Sequence, residues 1–190
     1  MKALEEKIIK DGVCIGDDIL KVDNFLNHQI DVKFLDEIGK EIARLFADAK
    51  PNKILTVEAS GIAIAIAASN YLGGIPVVFA KKAKPSTMQD GDYTAEAISF
   101  TKGITNVLHV SKKFLSNEDR VLIVDDFLAR GEAGVALCNL VEQSGGEVVG
   151  FSAAIEKKHQ GGAERIRSLG IKVQSLAVIE SMHDGQIDFE

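Results

Sequence analysis

Val121-Leu122-Ile123-Val124-Asp125-Asp126-Phe127-Leu128-Ala129-Arg130-Gly131-Glu132-Ala133 is the stretch on which the reading of this chain turns. It begins with a run of aliphatic residues, the pattern of a strand buried on both faces of a parallel sheet. Asp125 and Asp126 open a turn, Gly131 closes it, and Val135, Leu137, Cys138 and Val141 continue at helical spacing. A buried strand, two acids, a tight turn and a helix start place polar groups at the carboxyl edge of a sheet. In open α/β folds that edge binds ligands. The amides at the helix start suit an anion such as a phosphate. On these residues alone the acids could be a metal site, a pair of ribose ligands, or solvated carboxylates capping a helix.

A second turn of the same kind lies upstream. Lys53 to Glu58 reads as a strand, and Ala59-Ser60-Gly61 leads into an Ala/Ile-rich segment that is apolar nearly all round and is expected to be a buried helix. The Ser60 hydroxyl and the amides around Gly61 suit a second anion, although Ser-Gly is also a good helix start. Lys81 to Asp92 is a polar, lysine-rich loop, long enough to act as a lid. Two such turns at one sheet edge and a basic lid describe a ligand with phosphate groups at two ends.

The remaining chain supplies the frame. Residues 2–10 form a short helix that Asp11-Gly12 breaks, and Val13 to Ile30 shows no regular pattern. Asp31 is an N-cap, followed by Val32, Leu35, Ile38, Ile42, Leu45 and Phe46 at the spacing of an amphipathic helix ending near Asp48. Gly73-Gly74 stops the Ala/Ile helix, and Ile75 to Ala80 is a short buried strand. Tyr93 to Lys102 and Thr105 to Ser111 make an antiparallel ribbon turning near Gly103. Gly145-Gly146 caps the helix that follows the acids, and Glu147 to Ile155 is a strand ending at Glu156-Lys157-Lys158. Gly161 to Leu169 is a short helix, Ile171 to Ile179 the last core strand, and Gln186 to Phe189 an edge strand. Alternating strands and helices predict an α/β fold with a mostly parallel, Rossmann-like sheet and flanking helices.

With 190 residues the chain suits one domain, expected over 1–190. A net charge of −6 with scattered Lys and Arg argues against nucleic acid as a partner. The first ten residues lack a signal-peptide core, and Ile62 to Ala68 is too short to span a bilayer, so no membrane role is expected. Cys14 and Cys138 have no metal spacing and read as reduced thiols in a cytoplasmic protein. His28, His109, His159 and His183 share no ligand spacing.

The aliphatic run, the Asp-Asp pair and the small residue before a glycine resemble the phosphoribosyl pyrophosphate (PRPP) signature of the type I phosphoribosyltransferases. Leu20 to Asp31 (LKVDNFLNHQID), Glu58 to Ala63 (EASGIA) and Ile155-Glu156-Lys157 extend the resemblance to the bacterial xanthine branch of that family, over nearly the whole chain. It implies the type I fold with an N-terminal hood, about residues 1–30, and a β-ribbon lid, about 81–111. It also implies transfer of ribosyl 5-phosphate from PRPP to N9 of xanthine, releasing pyrophosphate and giving XMP in purine salvage.

By the same resemblance, Asp125 and Asp126 hold the ribose hydroxyls beside a developing cation, and Ala129, Arg130, Gly131, Glu132 and Ala133 cradle the 5-phosphate. Glu58, Ala59, Ser60 and Gly61 form the pyrophosphate loop, with Mg²⁺ bridging pyrophosphate and ribose oxygens. Lys81 and Lys82 reach pyrophosphate, across the interface of a homodimer. Two departures stand out: Ala129 and Ala133 replace the usual threonines, so backbone amides must carry more of the binding. Ala129 also stands where the hypoxanthine-guanine branch has an aspartate, so no general base is assigned.

For base selection, the Lys157 ammonium offers only donors and can read the 6-oxo group of an oxopurine. Asn27 and the backbone near Leu20 would cover the 2-position, and Phe127 would pack on the purine face. Guanine, hypoxanthine or adenine as the base, or a PRPP-sensing regulator on the same fold, are the alternatives.

Overall fold

The computed structural model describes residues 1–83, 91–99, 104–183 and 185–190. The strand opened by Val121 is the centre of the sheet. Chain order runs α1 (Lys2–Asp11), β1 (Val13–Ile15), β2 (Ile19–Lys21), α2 (Val32–Phe46), β3 (Lys53–Val57), α3 (Ser60–Tyr71), β4 (Val77–Ala80), β5 (Tyr93–Ser99) and β6 (Ile104–Val110). It continues with β7 (Arg120–Leu128), α4 (Glu132–Ser144), β8 (Glu147–Lys157), α5 (Gly162–Arg167), β9 (Val173–His183) and β10 (Gln186–Phe189). The main sheet has the order β10-β9-β8-β7-β3-β4, parallel throughout except for β10.

The aliphatic run of β7 is explained by this position. Leu122 and Val124 point into one core layer with Ile38 and Ile42 of α2 and Ile64 of α3. Val121 and Ile123 point into the other, with Leu137 and Val141 of α4 and Ile166 of α5. Alternate side chains of a strand face opposite sides, so a strand covered by helices on both faces must be apolar at every position. The sequence's helix signals also hold: Asp31 accepts the Phe34 amide at 3.2 Å at the start of α2, and Gly145 ends α4 in the left-handed region at φ 76°.

Four expectations need correction. Asp125 and Asp126 do not open the turn, since β7 runs through them to Leu128. The strand expected to be buried over Ile75 to Ala80 is β4 at the edge of the sheet, with Phe79 40% exposed. Val13 to Ile30 is not irregular: β1 and β2 pair as an antiparallel hairpin, and Asp23–Asn27 form one wide helical turn. The strands are three residues each, too short for alternation to stand out, and their outer face (Val13, Ile15, Ile19) is apolar yet exposed. The Ala/Ile helix α3 is not buried all round, since Ile66 is 51% exposed. The β5–β6 ribbon forms as expected, and the Gln143 side chain of α4 grips Thr94 on both its amide (3.4 Å) and its carbonyl (2.8 Å). Most of the Lys81 to Asp92 loop and the ribbon's turn near Gly103 lie outside the described residues.

Candidate active site

The sheet brings three strand ends side by side: β3 runs into Glu58, β7 carries Asp125 and Asp126, and β8 ends at Lys157. Asp125 is almost fully buried, and its Oδ1 accepts the Asp126 amide at 3.0 Å. Burial, reinforced by the Asp126 charge, raises the Asp125 carboxyl well above its usual range, while Lys82 pulls the other way. A strongly perturbed carboxyl at the ligand-binding edge of a sheet makes Asp125 a candidate site residue.

The upstream turn closes on the same acid. A Cβ on Gly61 would lie 2.1 Å from Thr56 Oγ1 and 3.3 Å from Asp125 Oδ1, so only glycine lets the loop approach this closely. Thr56 Oγ1 is itself buried without a hydrogen-bond partner. Glu58 Oε1 accepts the Lys82 amide at 2.6 Å, fixing the residue after Lys81 against this loop.

Below the acids, Ala129 to Gly131 turn sharply, with Gly131 at φ 78°, and the Val135 amide bonds the Gly131 carbonyl at 2.9 Å to begin α4. The first-turn amides of a helix have no partner within it, and they carry the positive end of its dipole. A pocket of about 200 Å³ opens there, lined by Asp125, Phe127, Ala129, Gly131, Glu132 and Ala133 among others. Its shape and donors suit a phosphate ester on a small sugar.

Two residues of the N-terminal segment reach these strand ends. Asn27 Nδ2 donates to Asp126 Oδ2 at 3.3 Å, and Lys157 Nζ donates to the Asp18 carbonyl in the hairpin turn. The same ammonium lies 5.9 Å from the centre of the Phe127 ring, and burial lowers its pKa, partly offset by Asp18. Asn27 thus contacts one of the acids, and Lys157 stands over the residue that follows them. Leu20 is 7% exposed with its side chain in the core, which leaves only its backbone for a ligand. Lys81 is turned elsewhere: its Nζ stands 6.0 Å over the Phe79 ring, whereas Lys82 acts on Asp125. Asp18, Thr56 and Lys82's closer role were not legible beforehand. Their parts depend on which way a side chain or carbonyl faces after a turn.

The arrangement has known counterparts. The phosphoribosyl transferase domain model matches residues 21–181. The chain is 50% identical to a xanthine phosphoribosyltransferase of Clostridium novyi over 190 residues, covering all of both chains. It is also 50% identical over 189 residues to one of Lactobacillus delbrueckii subsp. bulgaricus, again over the full length of each. Among solved structures, an adenine phosphoribosyltransferase from Thermoanaerobacter pseudethanolicus superposes with a TM-score of 0.74 at 25% identity, covering 92% of this chain and 98% of that one. Through the matched domain and these full-length likenesses, the chain belongs to the phosphoribosyl transferase family.

Proposed function

We propose that this protein is a xanthine phosphoribosyltransferase. It moves ribosyl 5-phosphate from PRPP to N9 of xanthine, giving XMP and pyrophosphate, in purine salvage. The observation that carries this reading is the 50% identity, over the whole chain, to enzymes of that name. The solved neighbours that act on adenine share the fold at 25% identity or below, which leaves base choice to local residues.

In the reaction the bond from ribose C1 to the pyrophosphate oxygen breaks and the bond from C1 to N9 forms. Charge at C1 becomes positive on the way. Asp125 and Asp126 stand at the sheet edge to hold the ribose hydroxyls and to favour that charge. Ala129, Arg130, Gly131, Glu132 and Ala133 bind the 5-phosphate through backbone amides at the start of α4. Glu58, Ala59, Ser60 and Gly61 hold pyrophosphate with help from Lys82, whose backbone amide is bonded to Glu58. Catalysis on this account is positioning plus electrostatics, with no covalent intermediate.

Base choice follows from donors. Lys157 and Asn27 present N–H groups where xanthine offers its 6-oxo and 2-oxo oxygens, while adenine would turn an amino group toward the Lys157 ammonium. Phe127, half-buried beside the acids, would pack on the purine face.

Mg²⁺ fits this site when carried in by the substrate. Asp125 lines the pocket with Asp126 next to it in the chain, and among the described residues no group of three or more His, Cys, Asp or Glu side chains could hold an ion unaided. Asp125 and Asp126 would hold such an ion together with the substrate, and it would supply positive charge that offsets the charge of the leaving group. The protein is further read as a cytoplasmic homodimer. Lys81, set over Phe79 at the β4 edge of the sheet, is available to a second copy. No helix among the described residues is long and apolar enough to cross a membrane.

Turnover with PRPP, Mg²⁺ and each of xanthine, guanine, hypoxanthine and adenine tests the proposal. XMP formation at the highest kcat/KM is expected, and a preference for adenine would refute it.

A further inference from the structure

The residues that hold the 5-phosphate loop in shape are not in that loop. Gly162, the first residue of α5, sits against it: its amide donates to the Ala129 carbonyl at 3.0 Å. A Cβ on Gly162 would lie 2.4 Å from Ala129 O, 2.7 Å from the Gly131 nitrogen and 3.0 Å from the Arg130 carbonyl carbon. The approach is mutual, since a Cβ on Gly131 would meet the Gly162 carbonyl at 3.0 Å. Nearby, Arg165 Nη1 reaches the Arg130 carbonyl at 3.5 Å. All three loop residues thus lean on one short segment that begins five positions after Lys157.

We infer that Gly162 is a positioning residue for ribose 5-phosphate, a floor that sets the loop's amides without touching the substrate. The inference rests on the assignment of residues 129–133 to the 5-phosphate. Its physics is steric. Backbone atoms cannot swing aside as a long side chain can, so a methyl group at 162 must displace either α5 or the loop. The helix is fixed by Ala163 and Ile166, 3% and 0% exposed, whereas of the loop only Gly131 is buried, Arg130 being exposed and Ala129 partly so. The loop is therefore the partner that moves. It carries the donors that must converge on one anion, and a misplacement near 1 Å can lower binding or rate on the order of a hundredfold.

The test is Gly162→Ala, read by calorimetric binding of two probes, ribose 5-phosphate and Mg²⁺-pyrophosphate, with thermal melting alongside. Ribose 5-phosphate should bind on the order of tenfold to a hundredfold more weakly. Pyrophosphate, held by the Glu58–Gly61 loop on the other strand end, should bind as in the wild type. Equal weakening of both probes would make Gly162 a general packing residue and overturn the inference, and so would unchanged ribose 5-phosphate binding. If Gly162→Ala does not fold, the exposed Arg165→Gln loosens the same turn. Ribose 5-phosphate should then bind roughly two- to tenfold more weakly, the worth of one hydrogen bond, and unchanged binding would overturn the inference. Wild-type protein that binds pyrophosphate but no ribose 5-phosphate would refute the loop assignment itself.

Discussion

Asn27→Ala separates recognition of the base from every other property of the enzyme. Asn27 is exposed, and its side-chain bond to Asp126 at 3.3 Å is open to water. Losing such a bond should cost roughly 1 kcal/mol of stability, a melting shift of about 2–4 °C for a chain of this size. Once a purine fills the space beneath the hood, the amide loses its water. Xanthine then gives it the 2-oxo acceptor, whereas hypoxanthine presents only C–H. An unpaired buried donor costs about 1–3 kcal/mol, which corresponds to roughly a five- to 150-fold preference for xanthine. The alanine variant should lose that preference, with the KM for PRPP little changed. The assay is kcat/KM for xanthine and for hypoxanthine under saturating PRPP. A folded Asn27→Ala protein with the wild-type ratio would refute the reasoning and move 2-position selectivity to another group.

Three further perturbations probe the acids and the pyrophosphate loop. Asp126→Asn should leave circular dichroism unchanged and reduce kcat on the order of a hundredfold or more, because it removes a negative charge from the developing cation; near-normal turnover would count against that role. Asp125 has a raised carboxyl pKa in the folded chain, so the native state keeps its proton to higher pH than the unfolded chain does. Its contribution to stability is complete below about pH 3.9 and is lost as pH rises through the folded value. The melting temperature of metal-free Asp125→Asn should therefore gain on the wild type as pH rises from 4 to 8, and a pH-independent difference would contradict the assignment. Gly61→Ala should cost about 1–3 kcal/mol and weaken pyrophosphate binding through the 2.1 Å approach to Thr56 Oγ1, and Thr56→Ala should rescue it in the double variant. An absent rescue would place the strain elsewhere.

What could be read from the sequence follows the range of the forces involved. The aliphatic run of β7, the Asp31 cap and the Gly145 stop are local patterns, and local patterns are written in adjacent residues. The acids, the 129–133 turn and the Glu58–Gly61 turn were legible for the same reason, since each lies at a change of periodicity. The hood hairpin was not, because its three-residue strands expose apolar side chains that usually mark a buried face. The pairing of Lys157 with Asp18 joins residues 139 positions apart, and the seat of Gly162 under Ala129 depends on how two βα turns pack. Neither leaves a local trace. Lys81 and Lys82 show the limit most plainly: Lys81 Nζ stands over the Phe79 ring while the Lys82 amide bonds Glu58, a difference their shared residue type does not write in the sequence. Cys138, by contrast, behaves as expected of a core thiol, with burial pushing its pKa up to about 12.

The central claim is that Lys157 and Asn27 make this site an oxopurine, xanthine-preferring one on a fold shared with adenine enzymes. The most direct measurement is a competition: equal concentrations of xanthine and adenine with limiting PRPP and Mg²⁺, followed by chromatography of the nucleotides. The product ratio equals the ratio of kcat/KM values. The account predicts XMP as the dominant product, with the ratio collapsing in Lys157→Met. Excess AMP from the wild-type enzyme would contradict it.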